Sequence, residues 1–216
     1  MVLLALAALL VLLLAPPAAG ADDLAERAFL LSPWPAEPTA LDVANDGTVW
    51  GTGEAGLWRL RPGEGASQRV SRSSYLDVSI APDGSLLLVE EGASGLTSIW
   101  RRGPGGDMVR LAGLLDYPAE GSLGADGGPA LGAALCGGES VEALQDGGFI
   151  LTDKRGRVVR RVGRDGTIST RYVVPGATGE YGCETGMGGP PSGTIREIVS
   201  VDRAATILLR VGGGRR

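Results

Sequence analysis

The chain has 216 residues, with 36 glycines, 13 prolines, no histidine and a formal net charge of −5. This length suits one domain, and the acidic balance, with no stretch of Lys and Arg interleaved with aromatic residues, argues against a nucleic-acid partner. A chain without histidine lacks the commonest general base and the commonest metal ligand. Many short Val, Ile and Leu runs separated by turn residues are typical of an all-β protein.

The N-terminal residues 1–21 carry no charged side chain. They contain an apolar run at 2–15, which is shorter than the roughly 20 residues of a membrane span, and then two prolines and the small residues 19–21. We therefore predict a signal peptide at 1–21 that is cleaved after Ala21, and a secreted or extracytoplasmic protein with no stable membrane span. An uncleaved N-terminal membrane anchor is the alternative.

After a Pro-rich segment at 22–40, one sequence unit recurs four times. The predicted units cover residues 41–71, 75–113, 139–173 and, as a partial copy, 196–216. Each of the first three contains an Asp-Gly pair between two short apolar segments, at Asp46, Asp83 and Asp146. This pattern predicts a hairpin because glycine supplies the positive φ that the turn requires. Four short strands in each unit of about 40 residues predict a β-propeller, in which neighbouring blades stack.

A glycine-rich linker separates the second unit from the third. It reads GADGGPALGAAL at 124–135 and is followed by QDGGFILTD at 145–153, RVVRRV at 157–162 and RDGTIST at 164–170. This region resembles the NHL-repeat β-propellers of the secreted bacterial type, and a degenerate copy of the linker, GMGGPP, stands at 186–191. The resemblance implies a six-bladed, propeller-like architecture of which about three and a half blades are present. It also implies a structural role in the linker for Gly124, Asp126, Gly127, Gly128, Pro129 and Ala130.

The chain has two cysteines, Cys136 and Cys183. Export to an oxidising compartment permits a disulfide between them. The bridge would close a loop of about 47 residues and contribute about 3–4 kcal/mol to stability in the chain-entropy model. Two free buried thiols are the alternative.

Several motifs suggest chemistry, but each fits a turn or a strand better. GTGEAG at 51–56 matches a dinucleotide fingerprint in letters only, because a strand-like segment follows it where a helix is needed. Asp116, Glu120 and Asp126 lack the spacing of a calcium loop. Glu90 and Glu91 are adjacent on a predicted strand, so their side chains point to opposite faces. The sequence therefore predicts no catalytic residue, no cofactor and no metal ligand.

The third strand of each unit contains large aromatic and basic residues. Trp58 and Trp100 occupy equivalent positions, which favours packing between blades over ligand stacking. Arg59, Arg101 and Arg160 are aligned with one another and are predicted to be solvated strand positions.

The function predicted from these patterns is non-catalytic binding. We expect an extracytoplasmic binding or scaffold protein whose blade-connecting loops contact a protein or a carbohydrate. One alternative, which the family resemblance implies, is a propeller enzyme of the lactonase or lyase type with a metal in the central channel. Another alternative is a truncated gene product without independent activity.

Overall fold

The all-β class predicted from the sequence is confirmed by a computed structural model of the chain. The structure describes residues 38–92, 95–116, 126–153 and 157–174, together with the backbone of strands at 195–201 and 207–211. The helical content of these residues is one short 3-10 turn at Ala130–Gly132.

The described strands form successive antiparallel meanders, in which strands adjacent in sequence are adjacent in space. The first sheet contains β1 (Ala40–Val43), β2 (Val49–Gly53), β3 (Gly56–Leu60) and β4 (Gln68–Ser71). The second contains β5 (Asp77–Ile80), β6 (Leu86–Glu91), β7 (Leu96–Arg102) and β8 (Met108–Ala112), with the short β9 (Leu135–Cys136) added to β7. The third contains β10 (Val141–Ala143), β11 (Phe149–Asp153), β12 (Val158–Val162) and β13 (Ile168–Val173). A fourth, two-stranded sheet pairs β14 (Ile195–Val201) with β15 (Ile207–Val211).

The Asp-Gly pairs form the turns that join the first strand of a sheet to the second. Gly47, Gly84 and Gly147 have φ values of 82°, 77° and 83°, a region that other residues rarely adopt. The preceding aspartate stabilises each turn, because its Oδ1 accepts the backbone N–H two residues later. For Asp46 the donor is Thr48 at 2.9 Å, and for Asp146 it is Gly148 at 3.0 Å.

The sheets stack face to face, and the middle sheet is buried on both sides. Leu86 and Leu88 pack towards the first sheet in a layer that includes Leu57, whereas Leu87 and Val89 pack towards the third. Side chains alternate along a strand, so a strand covered on both faces is apolar at every position. This is why the SLLLV run contains no polar residue after Ser85.

The linker lies along the outer strand of the third sheet. Gly127 N–H donates to the carbonyl of Ile168 at 2.8 Å, and Ile168 N–H donates back to the carbonyl of Gly128 at 3.0 Å. Ala130 is fully buried in the apolar layer between the second and third sheets. The linker therefore covers hydrogen-bonding groups that an outer strand otherwise exposes to solvent. Gly124 lies outside the described residues.

Of the two cysteines predicted to form a disulfide, Cys136 is among the described residues. Cys136 lies in β9, is buried and is disulfide-bonded. Cys183 lies outside the described residues, so its pairing with Cys136 stays a prediction.

The predicted signal peptide at 1–21 also lies outside the described residues, so export stays a prediction. Over the part of the chain that the structure describes, no helix has the length and apolar character needed to cross a membrane.

Candidate functional site

Three polar residues occupy equivalent positions on the first strands of the first three sheets. Asp42 on β1 pairs with Trp50, Ser79 on β5 pairs with Leu87, and Glu142 on β10 pairs with Ile150. The same spacing recurs in the fourth sheet, where Ser200 pairs with Leu208. Asp42, Ser79 and Glu142 therefore form a row across the inner strands β1, β5 and β10, which are the strands where neighbouring sheets meet.

Asp42 joins the first sheet to the second. Its Oδ1 accepts the N–H of Val43 and its Oδ2 accepts the N–H of Ile80, both at 2.7 Å. Burial raises the pKa of Asp42, while these two backbone donors act to lower it. Because β5 is the edge strand of its sheet, the N–H of Ile80 would have no strand partner on that side, and Asp42 satisfies it.

Asp77 joins the second sheet to the third in the same manner. Its Oδ1 accepts the N–H of Val78 and its Oδ2 accepts the N–H of Val141, both at 2.9 Å. Both oxygens of Asp42 and of Asp77 thus bind backbone groups, one of which belongs to the following sheet. We call these two residues the inter-sheet carboxylates.

Glu142 differs from the inter-sheet carboxylates in having a single hydrogen bond among the described residues. Ser79 Oγ accepts the N–H of Ala143 at 3.0 Å and donates to Glu142 Oε2 at 3.3 Å. Burial raises the pKa of Glu142 from 4.5 to about 7, and the negative charges of Asp42 and Asp77 add to the rise, although the Ser79 hydrogen bond opposes it. Glu142 therefore changes charge near neutral pH.

An open cleft of about 680 Å³ lies where the inner strands reach the Asp-Gly turns. We call it the turn cleft. Its walls are the ends of β1, β5 and β10, the three Asp-Gly turns, and one side of the third sheet, where Arg161 and Arg171 stand. Asp42 and Glu142 line it as well. The turn cleft thus brings the Asp-Gly turns of three successive sheets close to the polar side chains of their inner strands.

The two arginines of the turn cleft differ in their partners. Arg161 forms an ion pair with Asp146 of the third Asp-Gly turn, as Arg101 does with Asp83 in the second sheet. Arg171 on β13 is exposed and makes no ion pair with any residue that the structure describes. The turn cleft therefore carries one cationic group without a counter-charge in the described part of the chain.

The prediction that Arg160 is a solvated strand position is wrong. Strand pairing shows that Arg161, which pairs with Ile150, is the equivalent of Arg59 and Arg101, whereas Arg160 pairs with Leu151. Arg160 is only 6% exposed. The alignment of the apolar-basic segments was therefore one residue out of register in the third unit.

Buried arginine requires counter-charges, and two aspartates supply them. Arg160 Nη2 lies 2.9 Å from Asp126 Oδ1 of the linker, an ion pair without hydrogen-bond geometry, and its Nη1 donates to Asp153 Oδ2 at 3.3 Å. Asp153 is fully buried and also accepts the N–H of Cys136 at 2.8 Å. Asp126 further accepts the N–H of Thr170 at 2.9 Å. This network holds the linker, β12 and β9 together.

The other candidate residues are dispersed. Asp116 is exposed, Glu120 lies outside the described residues, and Glu90 and Glu91 follow one another on β6. GTGEAG forms the hairpin between β2 and β3, with Gly53 paired to Gly56. Throughout the described ranges, no group of three or more Cys, Asp or Glu side chains is placed to hold a metal ion.

Sequence reasoning missed Asp42, Asp77 and Glu142. Asp42 and Glu142 stand at the same distance before the aspartate of their Asp-Gly turns, so an alignment of the inner strands by that turn would have shown them. Neither the bonding of Asp77 to the next sheet nor the burial of Glu142 has a local signal, since both depend on sheet stacking.

Comparison with known proteins gives a fold. No protein-family model matches the sequence, and no curated protein matches it. The gluconolactonase XC5397 of Xanthomonas campestris aligns with 80% of this chain at 17% identity and a TM-score of 0.51. The chain has the β-propeller fold. It spans 53% of the length of that gluconolactonase, about half.

Two further solved structures align less closely. A structural genomics protein of unknown function from Bacteroides thetaiotaomicron covers 61% of this chain, with 34% of its own length, at 14% identity and a TM-score of 0.48. An inactive variant of virginiamycin B lyase from Staphylococcus aureus covers 82%, with 57% of its own length, at 14% identity and a TM-score of 0.46. At such identities structural likeness concerns the fold, and activity has to be argued from the site.

Proposed function

We propose that this protein is a non-catalytic, extracytoplasmic binding module of the NHL-repeat type, and that the turn cleft is its binding site. The observation that carries the proposal is the bonding of the inter-sheet carboxylates. A metal-dependent hydrolase needs carboxylates that converge on an open coordination position. Asp42 and Asp77 instead direct both oxygens to backbone N–H groups, one of them in the next sheet, which is a structural use of these residues.

The turn cleft supports a binding role because of where it lies and what lines it. Binding residues are often carried by loops on a rigid scaffold. In each of the three Asp-Gly turns the aspartate accepts a backbone N–H of its own turn. Asn45 and Asp46 of the first turn and Gln145 of the third line the cleft. Polar side chains of this kind suit a protein or a carbohydrate ligand, which are the partners expected from the sequence.

Binding at the turn cleft can be tested with arrays of peptides and oligosaccharides. The labelled full-length chain is compared with Asn45→Trp, which places a bulky side chain in the cleft wall at an exposed turn position. Gln68→Trp on the exposed face of β4 is the matched control. We expect binding that is lost in the first variant and kept in the second. Binding unaffected by Asn45→Trp, or no binding at all, would contradict the proposal.

The enzyme alternative calls for a separate measurement. The protein is incubated with Mg²⁺, Ca²⁺, Mn²⁺ and Zn²⁺, desalted and examined by elemental analysis, and its hydrolysis of gluconolactone is followed in a pH-stat. We expect less than stoichiometric metal and no hydrolysis beyond the buffer rate. Stoichiometric metal together with hydrolysis that a chelator abolishes would overturn the non-catalytic assignment.

Export is the second part of the proposal and rests on the signal-peptide pattern at 1–21. The chain is expressed in a bacterial host, and the periplasmic fraction is analysed by N-terminal sequencing. We expect a mature protein that begins at Asp22. Recovery of the full-length chain in the membrane fraction would favour the anchor.

A further inference from the structure

The turn cleft is lined by a half-buried carboxylate, Glu142, and an exposed arginine, Arg171, neither of which forms an ion pair with a described residue. Glu142 accepts one hydrogen bond, from Ser79, and Arg171 makes no ion pair within the described part of the chain. The other charged side chains of the cleft bind groups of the protein itself: Arg161 pairs with Asp146, and both oxygens of Asp42 accept backbone N–H groups. Asp46 Oδ1 accepts the N–H of Thr48.

Glu142 lies on β10 and Arg171 on β13, the first and last strands of the third sheet, and two further strands stand between them. At about 4.8 Å between neighbouring strands, the two backbones lie on the order of 14 Å apart. The influences on the pKa of Glu142 are burial, the Asp42 and Asp77 charges and the Ser79 hydroxyl, and none is a cation. An arginine within a few ångströms would have lowered this pKa. The carboxylate side and the arginine side of the cleft therefore act as separate charged poles, with Glu142 on the first strand of the third sheet and Arg171 on the last.

The size of the cleft suits a small polar molecule. At about 680 Å³ it falls within the range of about 300–1,000 Å³ that is common for ligand sites. A ligand that carries both an ammonium group and a carboxylate would neutralise both poles. A purely cationic or purely anionic ligand would neutralise one pole and leave the other unpaired.

We propose that the turn cleft binds a zwitterion of the amino-acid or short-peptide class, with the ligand ammonium group at Glu142 and the ligand carboxylate at Arg171. This inference rests on the proposed binding function and narrows its ligand. Guanidinium–carboxylate contacts are often bidentate and therefore define the direction in which the ligand lies. Ligand binding at Glu142 also favours the ionised form of that residue, so a proton leaves the site when binding occurs below neutral pH.

Isothermal titration calorimetry with three matched probes tests the inference. The probes are triglycine, N-acetyl-triglycine, which lacks the ammonium group, and triglycine amide, which lacks the carboxylate. We expect the full-length protein to bind triglycine at least about tenfold more tightly than either capped probe, as expected for the loss of one charge-assisted contact. Glycine is a fourth probe, and its failure to match triglycine would identify a ligand of peptide length.

Variants assign the two poles. In Arg171→Gln the preference for triglycine over its amide should disappear, whereas the preference over the acetylated probe should remain. Glu142→Gln should show the reverse pattern. Arg171→Lys retains the charge and should recover part of the affinity. Arg164→Gln, an exposed arginine outside the cleft, is the control and should bind all probes as the unmodified protein does.

Proton release gives an independent readout. Titrations near pH 6 in two buffers of different ionisation enthalpy should show up to about one proton released on triglycine binding, and none in Glu142→Gln. The inference is overturned if the three probes bind equally, if Arg171→Gln retains the full preference, or if triglycine does not bind at millimolar concentration. A protein that binds none of the probes but still loses array binding on Asn45→Trp would refute the ligand class and leave the proposed function standing.

Discussion

Replacing Glu142 by glutamine should stabilise the protein at alkaline pH. The pKa of Glu142 is raised to about 7 in the folded chain, mainly by burial and then by the charge of Asp42. In the unfolded chain this carboxyl ionises near its ordinary value of 4.5. Between these two values the folded state holds more protons than the unfolded state, so the free energy of unfolding falls as pH rises.

The magnitude follows from the size of the rise. A change from 4.5 to about 7 corresponds to about 3.4 kcal/mol at about 1.36 kcal/mol per pKa unit. Glu142 is half-buried and keeps partial access to solvent, which screens its interactions. We therefore expect an effect of about 2 kcal/mol after allowance for this screening. The stability that the folded chain gains by keeping Glu142 protonated is fully present below pH 4.5 and is lost above about pH 7.

Urea unfolding of the full-length protein and of Glu142→Gln at about pH 4.5 and about pH 8 measures the effect. The unmodified protein should lose stability from the lower to the higher pH, and Glu142→Gln should not. The free energy of unfolding of the variant, relative to that of the unmodified protein, should therefore rise by about 2 kcal/mol between the two pH values. Glu139→Gln, an exposed glutamate nearby, is the matched control and should show the same small difference at both. If Glu142→Gln and the unmodified protein keep a constant difference, Glu142 does not titrate near neutral pH and the reasoning fails.

Three further substitutions probe the packing, each measured as the free energy of unfolding in urea. Arg160→Met leaves Asp153 buried without its cation and should cost about 3–5 kcal/mol. Arg161→Met breaks an exposed ion pair and should cost less than about 1 kcal/mol. Equal losses in the two variants would contradict the buried network. Gly138→Ala drives a Cβ into the carbonyl oxygen of Thr152 and should cost about 1–3 kcal/mol, while Gly132→Ala meets no atom and should be nearly neutral. Asp42→Ala leaves the N–H of Ile80 unpaired and should cost about 1–3 kcal/mol; a loss no larger than that of Asp116→Ala would show that water satisfies this donor.

Local patterns in the sequence were sufficient for the repeating elements. The aspartate and glycine at positions such as Asp46 and Gly47 predict a hairpin because the required φ and the side-chain hydrogen bond are properties of neighbouring residues. Short apolar runs between such turns predict strands, and their repetition predicts stacked sheets. The β-propeller fold could therefore be predicted before any contact between sheets was known.

The register of the third unit could not be read in this way. Two adjacent arginines follow two valines there, and either arginine can be aligned with Arg59 and Arg101 by sequence. Strand pairing decides for Arg161, since it pairs with Ile150 as Arg101 pairs with Leu87. The buried position of Arg160 depends on Asp126 of the linker and on Asp153, and the linker aspartate is far from it in sequence.

By itself, the sequence determined the local geometry of this protein: turns, strand lengths and the alternation of buried side chains, all of which depend on residues close together in the chain. Only the tertiary structure decided the chemistry of Asp42, Asp77 and Glu142. Their hydrogen bonds and pKa values arise where one sheet meets the next, between residues separated by 38 positions or more. Desolvation and charge at such contacts depend on stacking distance and burial, which no short stretch of residues specifies.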